Sequence, residues 1–453
     1  MGSEPRTAGG GLAGSLIETS FGVENGCLMI GGLSARDLAR QFGTPLFVYD
    51  TGRMRASYRA LQQALAGFAR IFYSIKANPN PAVARVFVEE GAGLEIASGA
   101  EFLTARRAGC DAENILFAGP GKGVEELRLT LEAGVGEIHV ESFEEIAHIA
   151  AIGAHLGKRV PVAIRINPIA AVQGGAMRMG GKPAAFGFDE EILDDVLTAI
   201  AARPELEVAG LHLFTGTQIL DASVLLGQWQ HALDLGRRVG GRLGCSLRTI
   251  DLGGGLGVPY HDGDVALDLA ALGNGAKRLS DQVKADPLLR GTSIVVEPGR
   301  YLTAGAGVYL MAVRAVKMSR GSRFVITDGG MHHHLAASGN LGQVIKRDYP
   351  IVAANRLDAP PLPPATLVGP LCTPLDTLGR KVSLPELSQG DVVAVLQSGA
   401  YGLTASPAGF LGHPMPAEVV IENGSARLAR PRGTFEAPLT SPLPLPIPKT
   451  EMA

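Results

Sequence analysis

Arg70-Ile71-Phe72-Tyr73-Ser74-Ile75-Lys76-Ala77-Asn78 is an apolar run that ends on a charge. Ile71, Phe72, Tyr73 and Ile75 read as a short buried strand, and Asn78-Pro79 stops it. A lysine leaving a buried strand is costly unless something pairs with it or uses it. Taken alone, Lys76 reads as a strand-end lysine whose stem lies on apolar surface while its ammonium reaches water. The rest of the chain decides between that reading and a reactive amine.

From residue 70 onward the pattern recurs. Apolar runs of strand length fall at 70–76, 93–98, 115–119, 137–141, 160–166, 207–214, 249–252 and 293–297. Between them lie segments of helical periodicity, such as 81–90, 99–109, 123–134, 142–157, 189–203, 222–243 and 266–285. Alternating strands and helices imply parallel strands, and eight of them imply an α/β fold of the (β/α)8 TIM-barrel type. An open doubly wound sheet is the alternative architecture. Polar and glycine residues cluster at the strand ends: Lys76, Ser98-Gly99, Gly119-Pro-Gly121, Arg165 with Asn167, Thr215-Gly-Thr217, Gly253-Gly-Gly255 and Glu297-Pro-Gly-Arg300. In such barrels those ends share one face, where chemistry is done.

Beyond residue 300 the period changes. Runs at 308–318, 323–327, 391–397 and 417–421 are β-like, with Gly, Pro and Asn turns. The expected organisation is an N-terminal segment 1–43 that partly joins a β domain, a cofactor-binding barrel 44–300, an all-β sandwich or barrel domain 301–432 and a Pro-rich tail 433–453.

Composition narrows the function classes. The chain has 453 residues, 46% hydrophobic and 19% charged, enough for a large core. A net charge of −3 gives no electrostatic case for nucleic acid or an anionic membrane. No apolar run approaches the ~20 residues of a membrane span, and Met1-Gly-Ser-Glu-Pro-Arg6 has no apolar signal core. Cys27, Cys110, Cys245 and Cys372 lie far apart without a CxxC pair, which fits a reducing cytoplasm.

Asp251-Leu-Gly-Gly-Gly-Leu-Gly257 offers backbone amides with no side chains in the way, which suits a phosphate. A tight turn explains such a loop as well, and it is neither a Walker loop nor a clean GxGxxG fingerprint. Glu297-Pro-Gly-Arg300 sets a carboxylate and a guanidinium at the next strand end. They form a local ion pair, or Arg300 takes the phosphate and Glu297 takes a ring nitrogen that must stay protonated. A lysine, a phosphate cradle and a carboxylate on one barrel face are what pyridoxal phosphate needs.

In order along the chain come Tyr73-Ser-Ile-Lys-Ala-Asn78, Leu94-Glu-Ile-Ala-Ser98, Arg165-Ile-Asn-Pro168, Gly210-Leu-His212, Gly253-Gly-Gly255, Glu297-Pro-Gly-Arg300, Gly369-Pro-Leu-Cys372 with Asp376, and Gly399-Ala-Tyr-Gly402. This series resembles the barrel-type (fold-type III) pyridoxal-phosphate decarboxylases, which include ornithine and diaminopimelate decarboxylase. The resemblance spans about 45 to 420. It implies a barrel plus a C-terminal β domain, as in the alanine racemase and decarboxylase type. It also implies that Lys76 holds the cofactor as a Schiff base and that Glu297 keeps the pyridine nitrogen protonated. Gly254, Gly255, Arg300, Thr217 and Tyr401 would bind the phosphate, and Arg165, Phe214 and Gly299 complete the cofactor-contacting set. Cys372 would reach in from a partner subunit and protonate the carbanion left by carbon dioxide, so the implied enzyme is a homodimer with its sites at the interface. For Lys76 to attack near neutrality, its neighbours should lower an ammonium pKa of ~10.4.

Two departures bear on substrate. The diamino-acid decarboxylases carry Asp or Glu after the motif cysteine, where this chain has Thr373. A neutral hydroxyl is a poor substitute against an ammonium. Where the family usually places a histidine over the cofactor face, this chain has Phe214. Both departures resemble a subgroup acting on amino acids tethered to carrier proteins, or on polar acids in siderophore, antibiotic and exopolysaccharide-linked pathways, an acidic substrate such as a glutamyl group on an acyl carrier protein being the kind meant. Diaminopimelate decarboxylation is the alternative. From other classes come an amino-acid racemase, which Glu297 argues against, a simple cofactor carrier, which would lack the β domain, and a non-catalytic regulator. Thr373, Asp376 and His332 are the substrate-site candidates. His332-His-His334 is not read as a metal site, because three successive residues cannot face one point, and no metal is expected. The loop 170–185, with Arg178 and Lys182, reads as a surface loop or a lid.

Overall fold

The computed structural model of the chain describes residues 11–169, the backbone of 177–178, 183–341 and 346–437. Eight strands form the barrel: β1 Arg70–Ser74, β2 Gly93–Ile96, β3 Ile115–Phe117, β4 Glu137–Val140, β5 Val160–Asn167, β6 Leu206–Leu213, β7 Thr249–Asp251 and β8 Ser293–Val296. Each is parallel to its neighbours, and β8 pairs back onto β1, so the sheet closes. The open-sheet alternative is therefore excluded. Their Val, Ile, Leu and Phe positions are buried against the surrounding helices, as a sheet covered on its outer face requires.

The residues that end a strand often also start the next helix. Ser98 Oγ accepts from Glu101 N at 3.2 Å and Ser142 Oγ from Glu145 N at 3.1 Å, capping helices Gly99–Arg107 and Phe143–Leu156. Asn80 caps Pro81–Glu89, where Pro81 takes the first turn without wasting an amide. These compact joints hold the strand ends level on one face.

The second unit is a nine-stranded mixed sheet. Its long strand Gly307–Ser319 pairs with Leu46–Asp50 and Val392–Val395 along its first half and with Ser322–Thr327 along its second. Leu46–Asp50 also pairs in parallel with Ala417–Glu422. The boundary expected at residue 44 is thus corrected: this strand belongs to the second sheet. An apolar run carries no record of its pairing partner, which here lies far away in the chain. Ile17, Leu28, Ile30 and Leu38 from the first 43 residues pack with Leu46, Val308, Val352 and Val419 in one apolar cluster.

Among the described residues, no helix is long and apolar enough to cross a membrane. Residues 1–10, most of the stretch 170–185 read as a lid, and 438–453 of the tail lie outside the described residues.

Candidate active site

Lys76 sits on the 3-10 turn Ile75–Ala77 that ends β1. Its Nζ lies 3.1 Å from both carboxylate oxygens of Glu95, which rises from β2 and is fully buried. Ser74 Oγ donates to Glu95 Oε2 at 2.5 Å. Burial pulls the Lys76 ammonium down, but Glu95, Tyr401 and Glu297 outweigh it, and its pKa is raised above the ordinary lysine value. The expected lowering is thereby corrected: Lys76 is held protonated by a paired carboxylate. With 45% of its side chain exposed, it remains accessible to a ligand.

The turn is clamped from two sides. Ser74 N donates to Pro298 O, and a Cβ on Gly299 would meet Ala77 Cβ at 2.9 Å. From the second sheet, Tyr401 N donates to Ala77 O at 2.7 Å and Asn78 Nδ2 donates to Gly399 O at 3.1 Å. Tyr401 adopts φ +52° to do so. Its ring lies against the Arg300 guanidinium at 4.6 Å, and Arg300 Nη1 donates to Tyr260 Oη at 3.1 Å. Arg300 Nε is buried with no partner of its own.

The loop after β7 packs backbone to backbone. A Cβ on Gly253, Gly254 or Gly255 would stand 2.4, 2.5 or 2.7 Å from the carbonyl oxygens of Leu213, Glu297 and Gly216. Phe214 leans on Gly253 and Gly254 from the end of β6. Thr217 follows in a two-residue strand paired with Met177–Arg178. Behind this loop, Glu297 Oε2 meets His212 Nε2 at 3.3 Å, while Glu297 Oε1 is buried without a partner. Burial pushes the Glu297 carboxyl up, but the His212 imidazole edge aimed at it, with His139 and Lys76, outweighs burial, and the carboxyl is held well below the usual carboxylate range.

Lys76, Phe214, Thr217, Gly254, Gly255, Glu297, Gly299, Arg300 and Tyr401 are therefore gathered around the ends of β1, β6, β7 and β8. Arg165, from β5, is bound to Glu141, with Nη1 to Oε1 at 2.8 Å. Glu141 also accepts from Gly119 N at 2.7 Å and Gly187 N at 3.0 Å. Beside it Lys122 is wholly buried, with Nζ 2.7 Å from Glu145 Oε1 and 2.8 Å from His139 O. Sequence reasoning missed Glu95, Glu141, Lys122, His139 and Asp251 as site residues. The signal available was a charged or polar side chain inside an apolar strand or at its end.

The residues read as substrate contacts are placed differently. Cys372 is exposed on the second sheet's side, and Thr373 Oγ1 accepts from Leu375 N in the same turn. Asp376 is buried and ties its own loop to the one at Met331, with Oδ1 taking Met331 N at 2.6 Å and Oδ2 taking Leu371 N at 2.9 Å. It braces the Cys372 turn. His332 is a correction: it is fully buried, 3.7 Å from the His333 ring and 4.9 Å from His413, and lines no open surface of the chain. His333 bonds Tyr309 and His334 bonds Ser398, so the run packs the second domain's core.

An orphaned carboxylate oxygen, an orphaned guanidinium nitrogen, side-chain-free amides and an accessible lysine fit a phosphorylated pyridine aldehyde. Fold and site together define a barrel-type pyridoxal-phosphate enzyme with a second β domain.

Residues 51–304 match the family model described as the pyridoxal-binding domain of pyridoxal-dependent decarboxylases. Over 404 residues the chain is 42% identical to L-glutamyl-[BtrI acyl-carrier protein] decarboxylase of Niallia circulans, covering 88% of this chain and 94% of that one. It is 32% identical to the diaminopimelate decarboxylase of Zymomonas mobilis over 423 residues, covering 92% and 96%. The crystal structure of diaminopimelate decarboxylase from M. jannaschii superimposes with a TM-score of 0.87 at 26% identity, covering 95% of this chain and 99% of that one. The chain belongs to the pyridoxal-dependent decarboxylases. It is a carboxy-lyase whose cofactor is pyridoxal phosphate.

Proposed function

We propose that this decarboxylase acts on an acidic amino acid carried on an acyl carrier protein, a glutamyl thioester being the leading case. The observation that carries the reading is Thr373 directly after Cys372, where a substrate with a distal ammonium would need a carboxylate. The 42% identity to a glutamyl-carrier decarboxylase, against 32% for a diaminopimelate decarboxylase, supports it.

In this reading Lys76 would hold the cofactor through its aldehyde carbon, and Glu95 would keep the lysine protonated whenever its amine is free. Arg300, with the amides of Gly254 and Gly255 and with Thr217 and Tyr401, takes the phosphate. Glu297 Oε1, unpartnered within the protein, holds the proton on the ring nitrogen. Phe214 would flank the ring, and Gly299 leaves room for the Lys76 turn. Arg165 is fixed by Glu141. When bound, the cofactor supplies the conjugated ring that accepts the electron pair left by carbon dioxide. Cys372 of a second copy would hold the proton for the substrate's α-carbon, a role for which its exposed thiol is suited. The working form is a cytoplasmic homodimer with Thr373 beside the substrate.

The test is carbon dioxide release from the cofactor-loaded enzyme given free glutamate, lysine, ornithine, diaminopimelate and glutamyl carrier protein in turn. Release from the carrier-bound substrate alone supports the reading. Release from diaminopimelate shows that Thr373 does not exclude an ammonium. Silence with every substrate, with cofactor bound, favours a regulator.

A further inference from the structure

Behind the cofactor loop lies a buried set of acids and imidazoles that the mechanism above does not use. Glu137 and His139 come from β4, His212 from β6, Asp251 from β7 and Glu297 from the end of β8. All are at most 5% exposed. Because β4 is not paired with β6, β7 or β8, these side chains can meet only across the barrel interior. His139 Nε2 stands 3.3 Å from Glu137 Oε1 and 3.8 Å from Asp251 Oδ2. The His139 and His212 rings are 4.4 Å apart, and His212 Nε2 is 3.3 Å from Glu297 Oε2. Donor atoms of His139, His212, Asp251 and Glu297 lie within 4.8 Å of one another. Glu137 Oε1, Asp251 Oδ2, Glu297 Oε1 and both nitrogens of each imidazole are buried without an aligned hydrogen bond.

Three carboxylates cannot all stay ionised in such a place without positive charge beside them. The cations whose charge reaches the set are Lys76 and Arg165. The balance must come from protons held within it. We propose that His139, His212 and Asp251 are positioning residues that share these protons behind Glu297, so that the carboxylate facing the cofactor's ring nitrogen stays ionised and fixed in direction. The inference rests on the reading of Glu297 given above.

The geometry assigns the protons. Asp251 Oδ1 accepts from Gly253 N at 2.8 Å, leaving Oδ2 to carry a proton toward the other groups. Burial and the neighbouring Glu297 charge push the Asp251 carboxyl well above its ordinary value, in keeping with that placement. Burial takes His212 down to about 4, so its ring is neutral, and a proton on Nε2 of that neutral ring would face Glu297 Oε2 across 3.3 Å. His139 Nε2 lies between Glu137 Oε1 and Asp251 Oδ2, within reach of a proton shared across the set. Glu297 therefore need not take a proton from solvent as pH changes, and its free oxygen keeps one role.

The experiment is a pH titration of the holoenzyme's visible spectrum, with cofactor affinity read by fluorescence. The wild type is expected to show a flat spectrum between about pH 6 and 9, a range in which an exposed histidine titrates. His212→Leu and His139→Leu should introduce a titration and weaken cofactor binding on the order of tenfold, the effect of losing one hydrogen bond to a charged group. His212→Gln, which keeps an N–H donor, should restore most of both. Leucine variants with native circular dichroism, an unchanged spectrum and unchanged affinity overturn the inference. So does a stoichiometric metal ion in the purified holoenzyme. If the leucine variants do not fold, 15N-histidine NMR of the wild type decides, with His212 assigned by His212→Gln. A proton on Nε2 of His212 is expected, and one on Nδ1 instead overturns the scheme. Glu297→Gln separates the two levels. If it leaves the spectrum unchanged, the reading of Glu297 itself fails. If it alters the spectrum while the histidine variants do not, only the proton-sharing set fails.

Discussion

Lys76 Nζ is equidistant, at 3.1 Å, from the two carboxylate oxygens of Glu95. The pair is asymmetric in exposure, since the carboxylate is buried and the ammonium faces the mouth of the barrel. Glu95 therefore cannot turn away to water, and it acts on the lysine as a fixed charge.

Removing that charge should make the amine more reactive. In Glu95→Gln, burial would act on Lys76 with less opposition, and its pKa should fall. Each unit of fall raises the fraction of free amine at pH 8 by about tenfold. The expected outcome is faster reductive trapping of pyridoxal phosphate on Lys76 in apoenzyme at that pH, with slower turnover in holoenzyme. Equal trapping rates would show that Glu95 does not govern the amine.

The glycine loop should tolerate no side chain. Gly255 has φ +93°, and an added Cβ would lie 2.7 Å from Gly216 O. Gly255→Ala should cost about 1–3 kcal/mol of stability and most of the cofactor affinity. Gly109→Ala is the comparison. It has a similar φ of +94° in open space, and it should lower the melting temperature while leaving cofactor affinity intact. Equal effects of both on affinity would remove the loop from the phosphate site.

The proposed sharing of sites between subunits predicts complementation. Lys76→Ala and Cys372→Ala should each be folded and inactive. After subunit exchange, an equal mixture should recover about a quarter of the wild-type rate, because half the dimers carry one intact site of two. No recovery despite exchange would place Cys372 in the same chain's site, or outside catalysis.

The pair around Glu141 predicts an acid-sensitive stability. Burial raises the Glu141 carboxyl, but Arg165 and Lys122 outweigh it, and its folded pKa is depressed. A depressed acid stabilises the fold above its unfolded pKa of ~4.3, and that share is lost as pH falls through the folded value. Glu141→Gln should be less stable at pH 7 by about 3–5 kcal/mol, since Arg165 and Lys122 lose their counter-charge. Its melting temperature should also fall less steeply on the acid side than that of the wild type. Parallel curves would mean Glu141 is not the group responsible.

The barrel was legible because each strand is a short apolar run that closes on glycine or a polar residue, a pattern local enough to read without the fold. Lys76, Glu297 and Arg300 stood out because charge at the end of an apolar strand needs a reason. Glu95 sat inside a quoted motif, but nothing local pointed it at Lys76, since the two meet only when β1 and β2 pair. His139 and Asp251 were hidden for the same reason, as their contact crosses the barrel. His332 misled because adjacent histidines look functional in one dimension, while packing turned them into the second domain's core. Leu46–Asp50 fell within the span assigned to the barrel but belongs to the second sheet, because strand pairing is not written in the strand.

That strand constrains how the protein can be made. Leu46–Asp50 is flanked in the sheet by Gly307–Ser319 on one side and Ala417–Glu422 on the other. During synthesis one of its edges stays bare until Gly307–Leu310 has been made and the other until Ala417–Ile421 has, an interval in which unpaired edges invite intermolecular pairing. The barrel can be complete while the second domain still lacks a central strand's neighbours. Cutting the gene after the barrel would strand those early residues without partners, so neither half is a natural module for transplantation.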